Sequence, residues 1–245
     1  MTAVAQAGAL SLKLPRLSED LGAIAADHAP AALSSSLAIE DMVITDAILR
    51  GGHAIEIFTL DTGRLHAETL AVLPRVRDRY GYEVRVYRPD VAAVNSYVEA
   101  FGLDAFYESI ELRQRCCHIR KVEPLKRALA GKRAWVTGMR RAQSVTRRDL
   151  PESEYDAQYG LWKFNPLADW SEAEVWQYIR EFQVPYNALQ DQGYRSIGCA
   201  PCTRATTVGE DLRAGRWWWE DPESKECGLH KRTTAIAVDQ PRNAS

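Results

Sequence analysis

The sequence has no run approaching the about eighteen apolar residues that a membrane-spanning helix needs. It has no excess of one charge either: 31 Lys and Arg against 33 Asp and Glu leave a formal net charge of −2. No overall field therefore draws the chain to duplex nucleic acid or to an anionic membrane surface. Met1 to Leu14 is Ala-rich but lacks a basic stretch ahead of a long apolar one, so no secretory leader is expected and a cytoplasmic protein is the default. Internal repeats and low-complexity segments are absent. Cysteine is scarce, with five in 245 residues, and in the reducing cytosol these are not read as a disulfide framework. The remaining composition, 46% apolar and 26% charged, excludes disorder as the dominant state. The length allows one α/β domain with a core plus an accessory tail.

Basic residues do cluster locally, in Arg113 to Arg133 and Arg140 to Arg148, which suits a compact anionic ligand better than a polymer. Residues 1–30 read as an arm followed by an amphipathic helix with Leu17, Leu21 and Ile24 on its apolar stripe. Ala31 to Ser35 reads as a short strand of small residues, Ala54 to Leu60 as a buried strand, and Glu83 to Tyr87 and Arg133 to Thr137 as a third and fourth. Helical spacing follows Glu40, covers His66 to about Tyr80 and Val91 to Phe101, and runs from Cys116 to Ala130, where Gly131 suits a C′ position. Ser171 and Glu174 form a capping-box pattern at a further helix. Strands alternating with helices at this period predict a Rossmann-like parallel sheet with helices on both faces. Beyond about Pro185 no period persists, and the irregular C-terminal tail is rich in Gly, Pro, Cys, Arg and Trp.

In open parallel sheets ligands bind beyond the carboxyl ends of strands, where loops offer backbone N–H groups and helix N-termini favour anions. Ser34-Ser35-Ser36 occupies such a place, with small hydroxylated residues that let the chain approach a phosphate or sulfate. A polar turn with an N-cap serine explains it equally well, and a Walker loop is absent. Two further strand ends, Leu60-Asp61-Thr62-Gly63-Arg64 and Thr137-Gly138-Met139-Arg140-Arg141, put polar residues and arginines on the same rim.

Four cysteines form two close pairs, Cys116-Cys117 and Cys199-x-x-Cys202; Cys227 stands alone. Thiolates bind both zinc and iron–sulfur clusters. Adjacent side chains on a helix diverge by about 100°, which strains a single ion and suits the separate irons of a cluster, although spacing leaves both open. Lys121 follows Cys117 by one turn and could face cluster, anion or solvent. Cys227 lies in Lys225-Glu226-Cys227-Gly228-Leu229-His230, where nearby cations favour a thiolate. Arg213 and Arg216 are three apart, on one face if helical, and guanidinium forks suit sulfate or phosphate oxygens. Trp217, Trp218 and Trp219 read as packing for the tail.

These segments together resemble the sulfonucleotide reductase family, with its adenine-nucleotide α-hydrolase-like fold. The matching stretches are SSSLAIED (34–41), LDTGRLHAET (60–69), CCHIRKVEPL (116–125), WVTGMRRAQS (135–144), KFNPLADW (163–170), GCAPCTR (198–204), GEDLRAGRWWWE (209–220) and KECGLH (225–230), in the family's order over residues 30 to 230. Leu37-Ala38 departs from the Ser-Gly pair of many members, which leaves open which loop atoms hold the phosphate.

The resemblance implies thioredoxin-dependent reduction of adenosine 5′-phosphosulfate to sulfite and AMP in sulfate assimilation, with thioredoxin or a glutaredoxin-like dithiol as donor. It implies Ser35 and Ser36 in a modified phosphate loop, Leu60 and Arg140 or Arg141 near the nucleotide, and Arg213 and Arg216 near the sulfate. Cys227 would be the nucleophile with His230 beside it, and Lys121 would link sulfate to a [4Fe–4S] cluster on Cys116, Cys117, Cys199 and Cys202. On this reading residues 31–204 form the nucleotide- and cluster-binding domain, and 205–245 carry the anion clamp and nucleophile; a homo-oligomer is compatible with the sequence. The competing readings are reduction of the 3′-phosphorylated nucleotide, an ATP pyrophosphatase or tRNA-thiolating enzyme of the same fold, and a cluster-bearing redox sensor without turnover. The four paired cysteines argue against the first, the absence of an SGGxDS loop against the second, and KECGLH against the third.

Overall fold

Ala31, Ala32 and Leu33 are all buried, so the strand they form, Ala31–Ser34 (β1), must be covered on both faces. The computed structural model, which describes residues 3–144 and 147–221 and side chains from Leu10 onward, shows how. β1 lies within a six-stranded sheet together with Ile55–Leu60 (β2), Arg85–Tyr87 (β3), Ala134–Val136 (β4), Ser153–Asp156 (β5) and Leu161–Phe164 (β6). The order is β3-β2-β1-β4-β6-β5. All neighbours pair parallel except β5 with β6. The expected parallel sheet thus carries an antiparallel edge, a hairpin of two four-residue strands too short to give a clear period in the sequence.

The helices are Ala3–Asp27 (α1), Ile39–Gly51 (α2), Ala67–Leu70 (α3), Val72–Tyr80 (α4), Val91–Phe101 (α5), Ile110–Cys117 (α6), Glu123–Leu129 (α7) and Glu172–Glu181 (α8). Side chains alternate across a strand, and the two sets have separate cores. Ala31, Leu33, Ile57 and Val136 pack with residues of α1, α2 and α8 such as Leu21, Met42 and Val175. Ala32, Phe58 and Trp135 pack instead on Leu125, Ala128 and Leu129 of α7. Helices therefore cover both faces, as the alternation of elements predicted.

Three local expectations are revised. α1 is one helix from Ala3, with Pro15 inside it, rather than an arm followed by a helix. Its buried stripe Leu10, Leu17, Leu21 and Ile24 joins the first core, and Lys13 Nζ reaches Glu174 Oε2 of α8 at 2.8 Å. The cysteine helix begins earlier than expected, at Ile110, where Ser109 Oγ accepts the Leu112 N–H at 3.1 Å. It is also not continuous, because His118–Val122 opens into a π-helical turn before α7. Pro124, near the start of α7, explains the opening: it has no N–H to donate, and its ring crowds the carbonyl four residues back. The Ser171–Glu174 capping box forms as predicted.

The chain leaves β1 for β2 and β3 on one side of the sheet and returns to β4 on the other. This reversal opens a crevice at the carboxyl ends of β1 and β4. Among the described residues no helix is long and apolar enough to cross a membrane.

Candidate functional site

A cleft of about 1270 Å³, counting the part open to solvent, occupies that crevice. Ser34, Ser35 and Ser36 line it from the end of β1, Thr59, Leu60 and Thr62 from β2, and Thr137, Gly138 and Met139 from β4. The three strand ends read from the sequence as one rim do converge. The turn after β1 is held from within. Ser35 Oγ accepts the Leu37 N–H at 3.2 Å, and Asp41 Oδ2 accepts both the N–H and the hydroxyl of Ser36, at 2.7 and 2.5 Å. Leu37 adopts a left-handed φ of 62° and is fully buried in the first core, so an anchored side chain holds the turn in a conformation more usual for glycine.

Arg213 and Arg216 line the same cleft. Their segment is not an α-helix. Ala214 N–H donates to Asp211 O at 3.0 Å and Arg216 N–H to Arg213 O at 2.9 Å, two consecutive turns that also bring residues three apart to one side. Arg216 is 6% exposed, and its Nη1 donates to Ile197 O at 3.3 Å.

Arg140 and Arg141 are not among the residues that line the cleft. Arg140 is fully buried behind Glu40, which does line the cleft. Its Nε and Nη2 reach Glu40 Oε1 at 3.1 and 2.8 Å, and its Nη1 reaches Trp170 O at 3.1 Å. A guanidinium taken out of water needs such a carboxylate. Arg141 pairs with Asp169 and donates to Leu150 O. The cleft wall there is made by Gln143 and Arg147 instead, and Glu40 and Asp41 add two carboxylates. The sequence reading assigned no role to these four; Gln143 and the acidic pair do fall inside the motif stretches, which was the available signal.

A second, smaller cavity, about 360 Å³ on the same measure, is lined by Cys116, Cys117, Cys199 and Cys202 together. α6 and the π-helical turn bring the first pair. The second pair arrives on a short antiparallel bridge of Cys199 to Leu65, with Thr62 Oγ1 3.2 Å from Cys199 Sγ. Arg113, Arg120 and Lys121 form cationic walls, and Arg120 Nη1 donates to Thr62 O at 2.8 Å. Burial pushes the Cys202 thiol up to about 11, with Cys199 beside it adding to the rise. Burial likewise raises Cys116, partly offset by Arg120. Burial would raise Cys199 too, but Lys121, the Thr62 hydroxyl, Arg216 and Arg120 outweigh it and hold that thiol below its ordinary value.

These walls are the complement of an anionic, sulfur-rich group. The Trp217 indole N–H is buried with no acceptor among the described residues, and Trp217 lines the same cavity, so a further acceptor suits that wall. Among the described residues no three His, Cys, Asp or Glu are grouped as ligands of one metal ion. Lys121 lines both the cleft and the cysteine cavity, and Thr62 lines the cleft while touching Cys199, so the two spaces adjoin. Cys227 and His230 lie outside the described residues.

Comparison with known proteins agrees with this geometry. Residues 30–205 match the model of the phosphoadenosine phosphosulfate reductase domain. Adenosine 5′-phosphosulfate reductase of Burkholderia cepacia is 58% identical over 95% of this chain and 93% of its own length. The protein of that name from Allochromatium vinosum is 58% identical over 86% of each chain. A phosphoadenylyl-sulfate reductase structure from Candida auris superposes with a TM-score of 0.65 at 28% identity, covering 76% of this chain and 90% of that one. With its cleft at the strand reversal and its cysteine pairs adjoining it, the chain belongs to the phosphoadenosine phosphosulfate reductase domain family.

Proposed function

We propose that this protein reduces adenosine 5′-phosphosulfate to sulfite and AMP, with Cys227 as nucleophile and a thioredoxin-like dithiol as reductant. The observation that carries the reading is the join at Lys121, where a cleft lined by the serine turn, Arg213 and Arg216 meets a cavity lined by four cysteines. The nucleotide phosphate faces Ser35 and Ser36, whose turn offers hydroxyls and backbone N–H groups at the start of α2. Leu60 and Trp135 supply apolar wall for the base. Arg213, Arg216 and Lys121 hold the sulfate end, where fixed positive charge must offset the approach of one anion to another.

In that setting the Cys227 thiolate attacks the sulfur, the bond from sulfur to the phosphate oxygen breaks, and AMP leaves with the electron pair. A dithiol then attacks Cys227 Sγ and releases sulfite, and its second thiol resolves the mixed disulfide. His230 stands beside the nucleophile on this reading. Cys116, Cys117, Cys199 and Cys202 would hold a [4Fe–4S] cluster, which the cationic walls and the Trp217 N–H suit. When bound, that group supplies a fixed charge distribution beside Lys121, while the two electrons of the reaction come from the dithiol. A cytoplasmic setting follows from the same thiol chemistry.

The test is single-turnover. Protein mixed anaerobically with adenosine 5′-phosphosulfate and no dithiol should release about one AMP per chain and gain one SO3 group on Cys227, and thioredoxin should discharge it as sulfite. Cys227→Ser should bind nucleotide and release no sulfite. Normal turnover in that variant, the SO3 group on a paired cysteine, or faster turnover of the 3′-phosphorylated nucleotide would overturn the reading.

A further inference from the structure

Trp217 holds an unusual place in the wall of the cysteine cavity, next to Arg216 of the cleft. It is 1% exposed and has a left-handed φ of 40°, a conformation that a bulky residue keeps only when its surroundings enforce it. Its backbone N–H donates to Cys202 O at 3.1 Å, and its carbonyl accepts the Glu220 N–H at 2.8 Å. Two guanidinium groups lie over its ring, Arg113 from α6 and Arg216 from the cleft, each with Cζ 4.6 Å from the centroid. Two cations on one indole repel each other, and the arrangement needs a counter-charge. Glu220 provides it: its Oε1 lies 2.5 Å from Arg113 Nε, with both side chains buried. Arg113 is thus fixed in place, the indole is fixed against Arg113, and Arg216 is laid along the indole where it reaches the cleft.

We propose that Arg113 is a positioning residue that sets the place of Arg216 in the cleft through the Trp217 ring, with Glu220 as its anchor. The inference rests on the reading of Arg216 as part of an anion clamp. Because α6 also carries Cys116 and Cys117, the same contact ties the cysteine cavity to the grip on the substrate's terminal anion. Arg113 acts on Arg216 and not on the nucleoside, so its loss must fall on ligands that carry a second anionic group.

The experiment measures equilibrium binding of ADP and of AMP to the full chain prepared anaerobically, ADP standing in for a nucleotide with a second anion. Arg113→Gln should weaken ADP about fivefold or more while AMP changes less than about twofold. Arg113→Lys, which keeps a cation for the ring and for Glu220, should restore most of the difference. In an Arg216→Ala background, Arg113→Gln should cause no further loss of ADP affinity, a coupling that general destabilisation would not give. Far-UV circular dichroism and iron content check that each variant is folded. Glu220→Gln, which removes the counter-charge from Arg113 without touching the ring, should lower ADP affinity in the same selective way and serves where Arg113→Gln does not fold. The inference is overturned by equal losses for AMP and ADP, by unchanged ADP affinity, or by an undiminished effect without Arg216. A wild-type protein that binds ADP no better than AMP would overturn the anion-clamp reading and the inference with it, whereas selective binding lost in Arg216→Ala but intact in Arg113→Gln overturns the inference alone.

Discussion

The backbone N–H of Gly138 donates to Oδ1 of Asp41 at 2.9 Å, joining the loop after β4 to the first turn of α2 across the reversal of the sheet. Oδ2 of the same carboxylate holds Ser36, so Asp41 ties both rims of the cleft to one side chain. Only glycine allows the approach, because a Cβ at 138 would collide with Asp41 Oδ1 and lie 2.9 Å from Glu40 Cβ and 3.0 Å from Asp41 N.

Burial pushes the Asp41 carboxyl from 3.8 up to about 6, against the hydrogen bonds from Ser36 that lower it. A raised carboxyl pKa means that the folded chain binds this proton more tightly than the unfolded chain does. The stability it contributes is full below about pH 4 and is lost as pH rises through about 6. Asp41→Asn cannot titrate. Its unfolding free energy relative to wild type should therefore shift in the variant's favour by on the order of 3 kcal/mol between pH 4 and pH 7, around a fixed offset for the altered hydrogen bonds. Urea unfolding at several pH values measures it, and a gap independent of pH would show that Asp41 ionises normally.

Gly198 has a different constraint. A Cβ there would lie 2.5 Å from Arg216 Nη2 and 2.6 Å from its Cζ, the far end of a side chain rather than backbone. Gly198→Ala should therefore displace the guanidinium, lowering the melting temperature only by what its bond to Ile197 O and its seat on the Trp217 ring contribute. Loss of one charge-assisted contact, about 1.5–3 kcal/mol, should lower kcat/KM at least about tenfold. Full activity in the variant would show that Arg216 can move without consequence for the substrate.

Much of this site was legible from residue types alone. The serine turn and the polar strand ends fall where an alternating α/β chain places its rim, and they converge; the two cysteine pairs, grouped from their spacing, line one cavity. The pairing of Arg140 is not legible, because a rim arginine serves a ligand or a carboxylate equally well and its carboxylate, Glu40, is 100 positions away in sequence. Arg113 was one member of a basic stretch, and nothing local distinguishes it from a solvated neighbour. Its burial depends on Glu220, 107 positions on. The β5–β6 hairpin escaped because its strands have four residues each and their residue types do not follow their alternating burial: in β6 Trp162 is exposed and Lys163 is buried.

Leu37 tests how strain and packing balance in the serine turn. A leucine at a left-handed φ of 62° costs roughly 1–2 kcal/mol, and glycine would remove that cost. The side chain is fully buried, however, and deleting a buried leucine costs about 2.7–5 kcal/mol. Leu37→Gly should therefore be less stable by about 2 kcal/mol in urea unfolding, despite its easier backbone. A more stable variant would mean that strain in the turn exceeds what the core returns.

Thr62 separates ligation from tuning in the cysteine cavity. If Cys116, Cys117, Cys199 and Cys202 bind a [4Fe–4S] cluster, protein prepared without oxygen should be brown and hold about four irons per chain. Cys199→Ser and Cys117→Ser should lose most of that iron, since each removes a ligand. Thr62→Val keeps all four thiols and the shape of the residue but removes the hydroxyl 3.2 Å from Cys199 Sγ. It should retain iron while altering the visible absorption and losing iron to a chelator about 10–100-fold faster, as expected when a partner of a metal ligand is removed. Arg120 still donates to the Thr62 carbonyl, while the Arg64 N–H, which donates to the same hydroxyl at 3.2 Å, loses its acceptor, so a change in the variant reports on the two bonds of the hydroxyl together. Stoichiometric zinc in place of iron would refute the cluster assignment. Iron with an unchanged spectrum and release rate in Thr62→Val would instead leave ligation intact and show that the hydroxyl has no hold on Cys199.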